Sequence, residues 1–241
     1  MKITRQAKYE RWLLDKVKTW LQAQPRNPGI HVSDLLYPRK AYWKRIDPKP
    51  MTDAEAGYFI AGQGHHFILE AVIEGSKKVG KADAGSHEWE GIYYSPDIRT
   101  PHPQEIKTTR SRTGPNTETE RGYRAKYEHY LEQLKAYMAI ENDPKGSLVV
   151  FYLNMEVGDG TKRTTPTFRW YDVTLTPAEL GETRDKLLDT KKLIEHAVKR
   201  KDPKNLPVCP EWMGFNCPWR DKCGCCSKGR KGDDLKRRLR V

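Results

Sequence analysis

The sequence predicts an α/β fold in which a central mixed β-sheet is flanked by helices. Three observations carry this. Apolar runs with the length and composition of strands, such as Leu148-Val149-Val150-Phe151-Tyr152, alternate with longer segments of helical period. Two of the helical segments open on capping boxes, Thr52-Asp53-Ala54-Glu55 and Thr176-Pro177-Ala178-Glu179. At 241 residues and 28.0 kDa the chain is long enough to bury one substantial core.

Taken in order, Leu13, Leu14, Val17, Trp20 and Leu21 form the apolar stripe of an opening amphipathic helix, which the two prolines between Gln24 and Gly29 terminate. Ser33 begins a short helical segment. Pro38, favoured at a first helical position, opens another that carries Arg39, Lys40, Lys44 and Arg45 beside Tyr42 and Trp43. Basic residues interleaved with aromatics suit a nucleic-acid backbone, and a solvated basic face over an aromatic core accounts for them as well. The box at Thr52 starts a helix reaching about Glu74, with Ile60, Phe67 and Ala71 on an apolar face and Phe59, Gln63, His66 and Glu70 beside it. Glu88 to Ile98 reads as a strand, Thr100 to Pro103 as a turn, and Gln104 to Thr109 as a second strand, so the two are expected to pair as a hairpin. Ser111 to Gly122 lacks an apolar period and reads as a long loop, with Arg110, Arg112, Arg121, Arg124 and Lys126 in or beside it to clamp a substrate backbone. A helix follows from about Tyr123 to Ile140, with Tyr127, Leu131, Leu134 and Met138 as its apolar stripe and His129, Gln133 and Tyr137 on a polar side. Strands over Gly146 to Asn154 and Thr165 to Leu175 precede the last long helix, from the box at Thr176 to about Arg200.

The chemistry concentrates between Pro96 and Lys107. Side chains alternate along a strand, so Glu105 and Lys107 share a face while Ile106 points into the core. Asp97 approaches Glu105 across the expected hairpin. Two carboxylates brought this close repel each other unless a cation lies between them, and hard oxygen donors suit Mg²⁺ or Mn²⁺. Such an ion polarises a phosphoryl oxygen and helps deprotonate water, while an ammonium such as that of Lys107 orients the water and offsets transition-state charge. His66, at the boundary of its helix's apolar face, is placed to add an imidazole nitrogen. Gln133 can bond a phosphate, a base edge or a carboxylate, and Tyr137 adds a hydroxyl and a stacking face.

Net charge is +12 with a pI near 9.4, which implies an anionic partner. No apolar run approaches the roughly 18 residues of a membrane span, and the N-terminus has no signal-peptide core. A cytoplasmic, non-membrane protein is the expectation. All five cysteines, Cys209, Cys217, Cys223, Cys225 and Cys226, lie in the last fifth of the chain. Without secretory features, such clustering argues for a metal before disulfides. Thiolates select soft or borderline ions, so this site differs in kind from the carboxylate one, and either a [4Fe-4S] cluster or a structural Zn²⁺ is chemically suited to it. Lys228 to Val241 holds seven Lys or Arg against Asp233 and Asp234 and reads as a basic tail.

Pro96-Asp97 followed by Glu105-Ile106-Lys107 resembles the motif of the PD-(D/E)XK nuclease superfamily, and Lys107-Thr108-Thr109 extends it as in the RecB-like branch. Gly62-Gln63-Gly64-His65-His66 is similar to that branch's upstream glycine–histidine motif, with His66 rather than His65 in the histidine position. Gln133-Leu134-Lys135-Ala136-Tyr137 is similar to its downstream glutamine–tyrosine motif. The resemblance covers about His31 to Cys223. It implies a restriction-endonuclease-like core; a catalytic set of Asp97, Glu105, Lys107, Gln133 and Tyr137; and metal ligation by His66, Asp97, Glu105 and the Ile106 carbonyl. It also implies metal-dependent hydrolysis of DNA phosphodiester bonds, with exonuclease action on single strands or DNA ends.

Among the RecB-like nucleases, those of CRISPR adaptation and the helicase-associated type close an iron–sulfur cluster around three C-terminal cysteines and one N-terminal cysteine. Cys217 to Cys223 resembles the end of that pattern and Tyr37-Pro38-Arg39-Lys40 its start, but Tyr37 stands where the cysteine would be. The resemblance therefore points to Cys209, Cys217, Cys223 and Cys226 as ligands of a structural [4Fe-4S] cluster, or of zinc. It also points to DNA and a helicase, recombination or CRISPR-adaptation protein as partners. A catalytically inactive DNA-binding or adaptor protein on the same scaffold is the alternative. The expected organisation is a helical segment over 1–50, a nuclease core over 51–200, a cysteine-rich segment over 201–227 and a basic tail over 228–241.

Overall fold

The computed structural model describes residues 7–23, 27–73, 87–115, 119–156, 163–210 and 217–224. In chain order its elements are α1 (Ala7–Gln22), β1 (Ile30–His31), α2 (Val32–Leu36), α3 (Pro38–Ile46), α4 (Asp53–Ile73), β2 (His87–Trp89), β3 (Ile92–Tyr94), β4 (Gln104–Thr109), α5 (Glu120–Glu141), β5 (Lys145–Glu156), β6 (Thr164–Thr174), α6 (Pro177–Arg200) and α7 (Arg220–Cys223). They form a mixed α/β fold. The chain divides into two units within α6: one holds the described residues up to Leu36 and from Met51 to Lys191, the other Tyr37–Pro50 and the described residues from Lys192 onward. Among the described residues, no helix is long and apolar enough to cross a membrane.

In the first unit the strands form two three-stranded mixed sheets. One has the order β1-β3-β2, with β1 parallel and β2 antiparallel to β3; the other has the order β4-β5-β6, with β4 parallel and β6 antiparallel to β5. The second sheet positions the candidate site. Its register sets Glu105 opposite Leu148, Ile106 opposite Val149 and Lys107 opposite Val150. A strand covered on both faces can be apolar at successive positions. Ile106 and Val149 bury one face with Ile98, Leu69 and Ile73, the last two from α4. Leu148, Val150 and Tyr152 bury the other with Tyr127, Leu134 and Met138 of α5.

The expected hairpin between Glu88–Ile98 and Gln104–Thr109 does not form. The first segment is itself a hairpin: Glu90 and Gly91 both have positive φ, 49° and 71°, and turn β2 back onto β3. This is the two-residue geometry that glycine makes accessible. Pro96, which has no N–H, follows the end of β3. Only one antiparallel bridge joins the two segments, Ile98 with Gln104, through N–H···O contacts of 3.3 and 2.8 Å. It keeps Asp97 beside β4.

Both capping boxes form. The Thr52 hydroxyl accepts from Glu55 N–H at 3.1 Å while the Glu55 carboxylate accepts from Thr52 N–H at 2.9 Å; Thr176 and Glu179 repeat the exchange at 3.3 and 2.8 Å. α5 starts earlier than its apolar period indicates, because the Thr119 hydroxyl accepts from Gly122 N–H at 3.2 Å and caps it. The loop expected to reach Gly122 is accordingly shorter. In α1 only part of the expected stripe is covered: Leu21 is buried, whereas Leu13 and Trp20 are exposed.

The second unit has its own small core. Cys209, Cys217, Trp219 and Cys223 are buried together, with Tyr37 and Trp43 packed against them. Arg39, a candidate for nucleic-acid contact in the sequence, instead donates to the carbonyls of Lys204, Leu206 and Cys223 at 2.6–3.2 Å. Trp219 Nε1 donates to Asp47 O at 2.7 Å, and Lys222 pairs with Asp47 at 2.9 Å.

Candidate active site

β4 delivers Glu105 and Lys107 to the face covered by α5, as alternation on a strand requires. Glu105 is only 1% exposed. Its Oε1 accepts directly from Lys107 Nζ. Asp97 approaches from the bridge at Ile98, and its Oδ2 accepts from Ile106 N–H at 2.6 Å. Both carboxylates thus converge on the first turns of the pleat of β4, one by its own position and one across the bridge.

α5 completes the wall. Gln133 Nε2 donates to the Tyr137 hydroxyl at 2.8 Å, the i,i+4 contact that a helix allows. Tyr137 is 4% exposed, so the side of α5 that reads as polar in sequence is buried against the carboxylates. Burial first, then the Glu105 carboxylate, pushes the Tyr137 phenol well above its ordinary range, with Asp97 adding to the shift and the Gln133 bond opposing it. Tyr137 is therefore held as the neutral phenol. Burial works against the charge on Lys107, but Glu105 and Asp97 more than offset it and hold the ammonium above the usual lysine range. His129 is shifted down by burial and then by the Lys107 charge.

Tyr130 was not visible as a site residue in the sequence. Its ring centroid lies 5.7 Å from Lys107 Nζ, within cation–π range. The spacing 130, 133, 137 is i, i+3, i+7 and could have found it; the competing series 129, 133, 137 fits the same helix one position round. Behind it the hydroxyls of Tyr127, Tyr152 and Tyr171 bond one another and hold Tyr127, whose ring stacks with Tyr130 at 6.2 Å.

The side chains of His66 and Gln63 lie outside the described residues. His65 is engaged elsewhere: its Nδ1 contacts Ala61 O at 2.6 Å and its ring lies 5.3 Å from Phe151. Among the described residues, no three His, Cys, Asp or Glu side chains are gathered closely enough to hold one ion. The donor set of Asp97 and Glu105 carboxylates with a neighbouring peptide carbonyl nonetheless has the hard oxygen chemistry of Mg²⁺ and Mn²⁺. Cys209, Cys217 and Cys223 are buried thiols in one cluster, without disulfides between them. Their donor chemistry is soft. Cys225, Cys226 and the basic tail lie outside the described residues.

No protein-family profile matches the chain, and no curated protein matches it. Solved structures do. The crystal structure of a protein designated SSO0001 superposes with a TM-score of 0.54 at 20% identity, covering 90% of this chain and 96% of that one. A phage-related exonuclease from Haemophilus somnus 129PT gives 0.46 at 12% identity, over 71% of this chain and 83% of its own. The alkaline exonuclease LHK-Exo from Laribacter hongkongensis gives 0.42 at 14% identity, over 72% and 91%. The likeness to SSO0001 spans nearly the whole of both chains and is a likeness of fold.

Proposed function

We propose that the chain is a divalent-metal-dependent deoxyribonuclease that hydrolyses phosphodiester bonds, acting as an exonuclease on single-stranded DNA or DNA ends. The observation that carries the reading is the convergence of the half-buried Asp97 and Lys107 with the buried Glu105 on one point of β4, with Tyr137 and Gln133 closing it from α5. A structural role gives no reason to set the half-buried Asp97 carboxylate beside the buried Glu105.

Asp97, Glu105, the Ile106 carbonyl and His66 would hold Mg²⁺ or Mn²⁺. When bound, the ion would supply Lewis-acid polarisation of the scissile phosphate and a more acidic water. Lys107, paired with Glu105 in this structure, would orient the attacking water and offset charge on the phosphoryl oxygens. Tyr137, held by Gln133, closes the site from α5 as a neutral phenol near Glu105. The buried thiols Cys209, Cys217 and Cys223, with Cys226, would hold a structural [4Fe-4S] cluster or, alternatively, Zn²⁺, which ties down the second unit. A helicase, recombination or CRISPR-adaptation protein is the proposed kind of protein partner.

The test is cleavage of end-labelled single-stranded and duplex DNA in EDTA, Mg²⁺ and Mn²⁺. The reading expects stepwise shortening with either metal, faster on single strands or frayed ends, and none in EDTA. Equal cleavage in EDTA, or none in any condition, opposes it.

A further inference from the structure

The face of the second sheet opposite Glu105 and Lys107 carries an aromatic row that the candidate active site does not use. His65, Phe151 and Phe168 follow one another across α4, β5 and β6, with centroid separations of 5.3 and 4.5 Å. Phe151 and Phe168 are stacked at 13°. β6 is the terminal strand of its sheet, so the ladder ends on Phe168, which is 53% exposed. Two residues along the same face stands Trp170, 50% exposed.

Exposed aromatics alone decide nothing, but Trp170 is held in place. Its indole Nε1 donates to Asp172 Oδ1 at 3.0 Å; the same oxygen accepts from the Ser147 hydroxyl at 3.0 Å; and His102 Nε2 donates to that hydroxyl at 2.8 Å. Ser147 is fully buried, and His102 belongs to the loop between Asp97 and Glu105. A large side chain that is half exposed and locked by a polar relay is pre-organised, and pre-organisation lowers the entropy lost on binding.

We propose that Phe168 and Trp170 form a stacking platform for the bases of single-stranded DNA. This inference rests on the nuclease reading for its substrate class. A base lying on the outer side of Phe168 continues the ladder His65–Phe151–Phe168 with a fourth π-face, and Trp170 takes a neighbouring base. Stacking of this kind tolerates any sequence, because every base offers a face. Charge agrees with the occupant: exposed Arg163 precedes β6, and the chain as a whole is strongly cationic, whereas Arg169, between the two rings in sequence, points to the other face of the sheet. The relay through His102 links the platform to the loop that carries Asp97, so strand binding and the candidate active site share one support.

Anisotropy of a fluorescein-labelled oligothymidylate, titrated in EDTA so that no cleavage intervenes, reads the platform directly. Stacking contributes about 1–3 kcal/mol per base, so Trp170→Ala and Phe168→Ala are each expected to weaken binding by roughly 5- to 150-fold. Trp170→Phe, which keeps a ring but loses the Nε1–H bond to Asp172, and Ser147→Ala, which loosens Asp172 and leaves the indole in place, are both expected to fall between wild type and Trp170→Ala. Blunt duplex should change little. Melting temperature and circular dichroism accompany every variant, and Trp170→Phe against Phe168→Leu supplies the comparison if an alanine variant does not fold. Single-strand affinity unchanged in Trp170→Ala and Phe168→Ala overturns the proposal. So does an equal loss on duplex, or a Trp170-dependent self-association showing that a second copy covers this face. The two readings fail separately: ring-dependent binding by a wild-type protein that cuts no DNA keeps the platform and removes the nuclease.

Discussion

Replacing Lys107 by methionine keeps the length of the side chain and removes its charge, which leaves Glu105 buried beside Asp97 with no cation between them. Removing one partner of a buried ion pair costs about 3–5 kcal/mol. Glu105 is 1% exposed but Lys107 is 20% exposed, so part of the loss is screened and about 2–3 kcal/mol is the working figure. For a chain of this size each kcal/mol lowers Tm by roughly 2–4 °C, giving a fall of about 5–10 °C in EDTA. A divalent ion bound as proposed would restore what the ammonium supplied. In wild type that ion would first have to displace Lys107 from Glu105, so on this reading Mg²⁺ or Mn²⁺ is expected to raise Tm more in Lys107→Met than in wild type, and a concentration near 100 times Kd would contribute about 2.7 kcal/mol. Differential scanning fluorimetry with EDTA and with each metal measures both effects. A variant that melts with wild type in EDTA, or an identical metal-induced rise in the two proteins, would refute the reasoning that the ammonium and the metal occupy the same electrostatic role.

Gly146→Ala places a methyl 2.7 Å from Met138 Sδ and 3.1 Å from Leu134 Cδ1, and overpacking of that kind is expected to cost about 1–3 kcal/mol by urea denaturation, partly relieved in a Met138→Ala background. Thr52→Ala removes the hydroxyl that caps α4 and is expected to cost about 1 kcal/mol, recovered in large part by Thr52→Ser. For Glu132, burial would raise the carboxyl, but Lys186 and then Lys135 lower it below its ordinary value. Its contribution is therefore present above the unfolded value of about 4.3 and lost as pH falls through the lower folded value. Denaturation curves of wild type and Glu132→Gln are expected to differ by about 0.5 kcal/mol at pH 7 and to converge below about pH 4.

Much of the fold was legible because it rests on local signals. The Thr52 and Thr176 boxes start α4 and α6 where the sequence puts them, and the apolar run at Leu148 to Tyr152 is the heart of β5. Pairing was less legible. Glu90-Gly91 is a strong turn signal inside a run otherwise rich in aromatic and β-branched residues, and it divides that run into a hairpin of its own. β4 then pairs in parallel with β5 through the α5 crossover, a long-range choice that no short window contains. The candidate site was legible at Asp97, Glu105 and Lys107 because their closeness survives the change of pairing. Tyr130 was hidden by helical ambiguity. Leu13 and Trp20 read as core and are exposed, because amphipathic period marks a face without saying whether this chain covers it.

The most direct measurement is the rate of cleavage of a 5′-labelled single-stranded oligonucleotide by wild type and Lys107→Ala, purified side by side and assayed with Mg²⁺ and with Mn²⁺. Loss of one positioned transition-state donor is worth about 10²–10³ in rate. The account predicts metal-dependent cleavage by wild type and at least that loss in Lys107→Ala, with oligonucleotide binding retained. Cleavage by Lys107→Ala at the wild-type rate would contradict it.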